Sequence, residues 1–223
     1  MKKFFFLMML TAVITSASAQ EAASVQEKFR LNVYTNYVFD DGFDSYYDPY
    51  NYYNGTMKGG FQWGVGAEFL LRKDYSLELM YLHQSTEAPT QYQSGTGVLV
   101  KNTTFDVNID YIMLGGNRYV QRPGSKAEPF GGLFVGVGIL NVDNPDNGNQ
   151  SSATKFAWGA RLGCNIWASD RFGLKLQAQL LSIAQGAGGG LYFGTGGVGA
   201  GVSTYSSVYQ FVLGGGITFK MGQ

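Results

Sequence analysis

Residues 205–221 read YSSVYQFVLGGGITFKM, and the alternation in that stretch decides the fold. Tyr209, Phe211, Leu213, Ile217 and Phe219 fall on one face of an extended chain, and Gln210, Gly214, Gly216, Thr218 and Lys220 on the other. A period of two is what a strand with one apolar and one polar side requires. Aromatic rings stand near both ends of the apolar row with aliphatic residues between them. That is the layout of a strand crossing an outer membrane between two interfacial girdles. A soluble sandwich strand alternates in the same way, so the rest of the chain has to choose. As the last strand, a membrane-crossing segment must bond back to the first one near 29–39, because lipid offers no water to an unpaired edge.

The pattern recurs upstream. In 29–39, Phe29, Leu31, Val33, Thr35, Tyr37 and Phe39 alternate with Arg30, Asn32, Tyr34, Asn36 and Val38. In 61–72 the outward row is Phe61, Trp63, Val65, Ala67, Phe69 and Leu71, opposed by Gln62, Gly64, Gly66, Glu68, Leu70 and Arg72. A shorter strand covers 77–82, with Leu77, Leu79 and Tyr81 set against Glu78, Met80 and Leu82. In 105–113, Asp106 and Asp110 interrupt an apolar alternation and are assigned to the interior, where a small barrel offers polar partners. The strand at 129–140 sends Leu133, Val135, Val137 and Ile139 outward. Strands at 156–166 and 174–180 follow, the first with Trp158 outward and Arg161 inward, the second with Lys175 inward. With the closing strand these make eight.

The connections are long at 40–59, 85–102, 141–153 and 182–205, and short at 73–75, 122–125 and 169–171. Strict alternation of long and short is the rhythm of outer-membrane barrels, whose periplasmic turns are short and external loops long. The expected fold is therefore an all-β, eight-stranded antiparallel transmembrane barrel of up-and-down topology.

Composition agrees. Glycine stands at 32 residues and aromatics at 15%, while charged residues are only 14%, a mixture suited to many strands between glycine turns. After the N-terminal segment no run approaches the ~20 apolar residues of a membrane helix, so entry into a membrane must be by strands. The N-terminus reads as a signal peptide: Lys2 and Lys3, an apolar run over 4–14, then Ala17-Ser18-Ala19, with cleavage expected after Ala19. That makes 1–19 a signal peptide and 20–223 the barrel domain. Of the 16 basic residues Lys2 and Lys3 precede the cut, none of the 16 acids does, and the remainder carries a net charge of −2. Nucleic acid is not an expected partner. A single cysteine, Cys164, excludes an internal disulfide.

On Pro129-Phe130-Gly131-Gly132, which opens a strand after a short turn, and on the closing Gly214-Gly215-Gly216-Ile217-Thr218-Phe219, the chain resembles the small outer-membrane barrels of the OmpA/OmpX type. The resemblance covers residues 27–221. It departs from the family where Lys220 to Gln223 follow the terminal aromatic residue. It implies an outer-membrane location in a Gram-negative cell envelope, and partners in outer-membrane lipid, lipopolysaccharide, periplasmic chaperones and the barrel-assembly machinery. Such motifs identify fold and not activity.

Three sets of candidate residues emerge. Arg30, Glu68, Arg72, Glu78, Asp106, Asp110, Arg161, Lys175 and Lys220 are assigned to a lumen charge network. Four acids against five bases suggest a plug of ion pairs in an interior just wide enough for its own side chains. Asp44, Tyr46, Tyr47, Tyr50, Tyr52 and Tyr53 in the first long loop are candidates for contact with an extracellular glycan or protein, since tyrosine makes contact surface at low entropy cost. Phe39, Phe61, Trp63, Tyr81, Trp158, Tyr209, Phe211 and Phe219 are assigned to the interfacial girdles.

No catalytic residue, cofactor or metal is expected. In the loop at 143–148, Pro145 occupies a position where a calcium loop needs an oxygen ligand. His83 and Ser85, two residues apart on an outward face, resemble the His-x-Ser pair of lipid A deacylases, with Glu87 the one nearby acid. His83 reads more simply as one more girdle ring beside Tyr81. The expected function is a non-enzymatic envelope barrel whose loops meet the environment; a narrow passive pore is the alternative from another class.

Overall fold

The computed structural model describes residues 28–48, 51–94, 100–145, 148–184, 190–194, 197–201 and 208–221. The expected signal peptide, 1–19, lies outside the described residues. Among the described residues there are twelve strands: β1 (Phe29–Val38), β2 (Asp41–Asp48), β3 (Asn51–Met57), β4 (Gly60–Arg72), β5 (Tyr75–Ser94), β6 (Lys101–Tyr119), β7 (Ala127–Asp143), β8 (Gln150–Trp167), β9 (Phe172–Ala184), β10 (Gly190–Gly194), β11 (Gly197–Gly201) and β12 (Val208–Met221).

Eight of them close a barrel. The order runs β1, β4, β5, β6, β7, β8, β9, β12 and back to β1, every neighbour antiparallel. Closure is direct: Phe29 stands opposite Met221, Val33 opposite Ile217 and Val38 opposite Val212. Every stave therefore has a partner on both sides, which removes the edge that lipid would not tolerate.

The remaining four strands correct the expectation of plain loops. The first long connection folds into the hairpin β2–β3, whose β3 pairs with the upper part of β5, and the fourth contains the hairpin β10–β11. The strand expected at 77–82 is in fact the 20-residue β5, and β6, β7 and β8 are nearly as long. Their extra residues project beyond the girdle at the long-loop end, where cross-strand hydrogen bonds satisfy backbone groups that a loop would leave to water.

The two faces of each stave are chemically opposite. Outward stand Leu31, Val33, Val65, Leu77, Leu79, Ile112, Leu114, Leu133, Val135, Leu162, Leu174, Leu176 and Leu213, all exposed. Inward stand Arg30, Asn32, Asn36, Gln62, Glu68, Glu78, Asn117, Arg161, Lys175 and Gln177, all buried. A water-soluble core is apolar inside and polar outside; here the order is inverted over most of the barrel.

β6 reverses the sequence-based assignment. Phe105, Val107, Ile109, Tyr111 and Met113 face the lumen and are buried, so Asp106 and Asp110 face outward. Register is the reason. Tyr81 and His83 on the outer side of β5 pair with Ile112 and Asp110, and direct partners in a ladder share a face. The outward row runs from Asp106, Asn108 and Asp110 to Ile112 and Leu114, polar at one end and apolar at the other, so alternation misplaces it and only the neighbour decides. The lumen consequently has two halves. Polar groups fill the end nearer the short turns, whereas Val38, Leu82, Phe105, Val107, Ile109, Leu140, Val142, Ile183 and Val212 pack an apolar interior toward the long-loop end.

Candidate functional site

The lumen network is built from side chains of seven staves. Its centre is Glu78 on β5, fully buried. Arg161 on β8 donates to Glu78 at 2.5 Å and to Asn117 Oδ1 at 2.9 Å. Asn117 Nδ2 donates to the same carboxylate at 2.9 Å, Asn32 Nδ2 at 3.1 Å, and the Tyr34 hydroxyl donates to it as well. A carboxylate with an arginine and three neutral donors is a satisfied buried charge, the condition under which a charge is tolerated in a low-dielectric interior. Space for it comes from Gly66: a Cβ there would collide with Glu78 Oε1 and sit 3.1 Å from the Tyr34 ring.

Glu68, one strand away, accepts from Ser76, Tyr119 and Asn32. Lys175 stands 3.8 Å from Glu68 and 4.7 Å from the centroid of the Phe130 ring. Arg161 in turn lies 4.6 Å from the Phe134 ring centroid, so both buried cations rest on aromatic faces as well as carboxylates. Nearer the short turns, Arg30 donates to both Glu128 oxygens, at 2.9 and 3.3 Å, and Asn165 Nδ2 adds a third bond at 3.0 Å. Glu128 is missing from the sequence-based set. Its only signal is parity with Phe130 and Phe134 on the inward row of β7.

Three expected members lie elsewhere. Arg72 is exposed beside the first short turn, 3.7 Å from Asp74. Asp106 is exposed on the outer face, and Asp110 is on that face too. Lys220 stands at the mouth of the lumen, 3.8 Å from the centroid of the Trp167 ring, which also lies 5.0 Å from the Arg30 guanidinium. The network is thus Arg30, Glu68, Glu78, Glu128, Arg161 and Lys175, with Lys220 at its rim.

Above it, neutral amides take over. Asn36 Nδ2 donates to Gln62 at 3.1 Å, Gln177 Nε2 to Asn36 at 3.2 Å, Tyr111 to Gln210 at 2.7 Å and Gln210 Nε2 to Gln84 at 3.0 Å. Beyond these comes the apolar half. Ions, amides and hydrocarbon follow one another along the lumen, and side chains span it at each level.

On the outer wall, His83 and Asp110 are direct cross-strand partners, with Nδ1 2.7 Å from Oδ1. The Tyr81 hydroxyl donates to the same oxygen at 2.7 Å, and the Trp63 ring lies 5.7 Å from both the Tyr81 and His83 rings. Asp110, not Glu87, is therefore the acid at His83. The Ser85 hydroxyl donates to Asn108 on β6. Trp63, Tyr81, His83 and Asp110, with Ser85 and Asn108 beside them, thus form one polar cluster at the outer interface.

Of the girdle candidates, Phe39, Phe61, Trp63, Tyr81, Trp158, Tyr209 and Phe211 lie toward the long-loop end, and Phe219 packs at a tilt on Phe172, with ring centroids 5.4 Å apart, at the other. At the rim, Asp40 accepts the Gly59 amide at 2.7 Å, which holds its carboxyl below the usual range. Asp41 accepts the Tyr209 amide at 2.9 Å, yet burial pushes its carboxyl up. Asp44, Tyr46, Tyr47, Tyr52 and Tyr53 lie on β2 and β3, where Tyr46 and Tyr52 are register partners; Tyr50 lies outside the described residues.

No family model and no curated protein matches the sequence. Among solved structures, the outer membrane protein OprG from Pseudomonas aeruginosa superposes with a TM-score of 0.59 at 14% identity, covering 90% of this chain and 99% of that one. Neisserial surface protein A superposes with a TM-score of 0.56 at 13% identity, covering 89% of this chain and 100% of that one. The fold is that of the small eight-stranded outer-membrane barrels.

Proposed function

We propose that the chain is an integral outer-membrane barrel, non-enzymatic and closed to solutes, with the short turns in the periplasm and the extended sheet outside. The single observation that carries this reading is the lumen, which the hydrogen-bonded Glu78–Arg161 and Arg30–Glu128 pairs span and whose other half an apolar core closes. A water path would have to cross both. The girdles and the aliphatic outer wall support insertion in lipid. Outer-membrane lipid and lipopolysaccharide then surround the wall, reached by export with periplasmic chaperones and the assembly machinery. The β2–β3 hairpin, with its alternating acids and tyrosines, is the surface offered to an extracellular glycan or protein. Envelope integrity is the role of the wall; contact with the surroundings is the role of the hairpin.

Single-channel recording in planar bilayers at several salt concentrations tests the closure. The expected record has no reproducible conductance step, and steps that scale with salt would replace the plug by the pore. Insertion is tested separately by Arg replacements. Val65→Arg or Leu213→Arg places a cation among hydrocarbon and should cost ~2–4 kcal/mol at the bilayer midplane. Gly66→Arg fails for a different reason, since the lumen there is already filled by Glu78 and Tyr34. Equal tolerance at Val65 and Gly66 in urea titrations of vesicle-inserted protein would remove the assignment of faces.

A further inference from the structure

The outer wall is not uniformly convex. A groove of about 730 Å³ crosses β6 to β12, lined almost wholly by apolar atoms. It follows two adjacent cross-strand rows. One row is Gly116, Leu133, Ala160, Leu180 and Phe211; the other is Arg118, Gly131, Leu162, Ala178 and Leu213. Glycine or alanine sits between bulkier residues in each row, and Leu133 and Leu162, both 71% exposed, form its ridges. Because staves tilt in a small barrel, a row perpendicular to them climbs the wall. The groove accordingly starts beside the short turns, at Tyr75 and Arg118, and ends at Phe211 in the opposite girdle.

Arg118 is what gives the groove a direction. It is an exposed cation on a wall otherwise built for hydrocarbon, and among the described residues it has no carboxylate partner, only the Tyr75 ring 5.4 Å from its guanidinium. An arginine at the interface with no internal counter-ion is a ready fork for a phosphate, which it binds bidentately. Beyond the fork lies an apolar trough that opens along the wall. We infer that the groove holds one glycerophospholipid of the periplasmic leaflet, its phosphate on Arg118 beside Tyr75 and an acyl chain along Gly116, Gly131, Ala160 and Ala178. Charge complementarity selects this occupant: a phosphate neutralises the cation, whereas a second copy that covered the groove with its own groove about a two-fold axis would bring another Arg118 to it. The inference rests on the barrel's lying in the outer membrane.

The test uses the full chain extracted from outer membranes in mild detergent, with native mass spectrometry as readout. Wild type should retain one glycerophospholipid per barrel. Arg118→Gln should lower that occupancy at least tenfold, and Arg118→Lys should restore part of it. Gly116→Leu combined with Ala178→Leu should displace the chain with Arg118 intact; a Cβ at Gly116 meets only the Ser76 carbonyl oxygen, at 3.4 Å, so the backbone has room for it. Heat-modifiable migration of each variant reports the folded barrel. Folded, membrane-derived protein with no lipid, with equal lipid in all variants, with lipid A in place of phospholipid, or as a dimer broken by the groove variants overturns the groove assignment alone. Protein recovered in the soluble fraction overturns the membrane reading with it.

Discussion

Deleting residues 213–223 will abolish assembly: no heat-modifiable band, no protein in the outer membrane, and only degraded or aggregated chain in the periplasm. β12 contributes ten register pairs to β1 and twelve to β9, so its loss exposes two unpaired edges at once. In hydrocarbon each orphaned backbone group costs several kcal/mol, which no other contact offsets. Clipping 221–223 alone removes the last rung, Met221 opposite Phe29, and should leave assembly nearly intact. A positive control comes from crosslinking. Val33 and Ile217 are direct partners that both already carry side chains, and directly opposed residues in an antiparallel ladder lie within disulfide reach. Cysteines at those positions, with Cys164 replaced by Ser, should join the first strand to the last without added reductant. Assembly of the truncated chain, or a failure of that pair to crosslink in folded protein, would refute the closed barrel.

Removing Arg161 is the costliest single change expected in the lumen. The side chain is fully buried, donates to Glu78, Asn117, Gln177 and Tyr34, and lies over Phe134. Arg161→Met keeps much of the volume and leaves the Glu78 carboxylate without its strongest partner. Breaking a buried pair from one side costs ~3–5 kcal/mol because a charge is left uncompensated. The double variant Arg161→Met, Glu78→Gln should be markedly more stable than Arg161→Met alone, since the second change removes the stranded charge. Such coupling between contacting residues is what a double-mutant cycle isolates. Urea titration in vesicles measures both. A loss below about 1 kcal/mol for Arg161→Met would show that the pair is surrounded by water and that the lumen is hydrated rather than plugged.

Alternation alone was enough to write down the staves, because a strand's side chains repeat every two residues whatever it pairs with. The closing strand, its partner β1 and the inward set Arg30, Glu68, Glu78, Arg161 and Lys175 are all legible in that way, as are most of the girdle rings. The short turns follow from punctuation such as Arg122-Pro123-Gly124-Ser125. What alternation leaves open is which row faces in when an apolar row is opposed by one of mixed character and the interior itself is part polar, part apolar. β6 shows the consequence: Asp106 and Asp110 look like lumen residues until His83 and Tyr81 on β5 claim the outer side. The partners within the lumen were beyond reach for a related reason. Arg30 meets Glu128 98 residues away, and Glu78 meets Arg161 83 residues away, across a closed cylinder. Those meetings depend on the register of every intervening pair, which is a property of closure and not of any one segment. The lipid groove is of the same kind. Gly116, Ala160 and Ala178 are unremarkable in their own strands, and only the cross-strand rows set them side by side beneath Arg118.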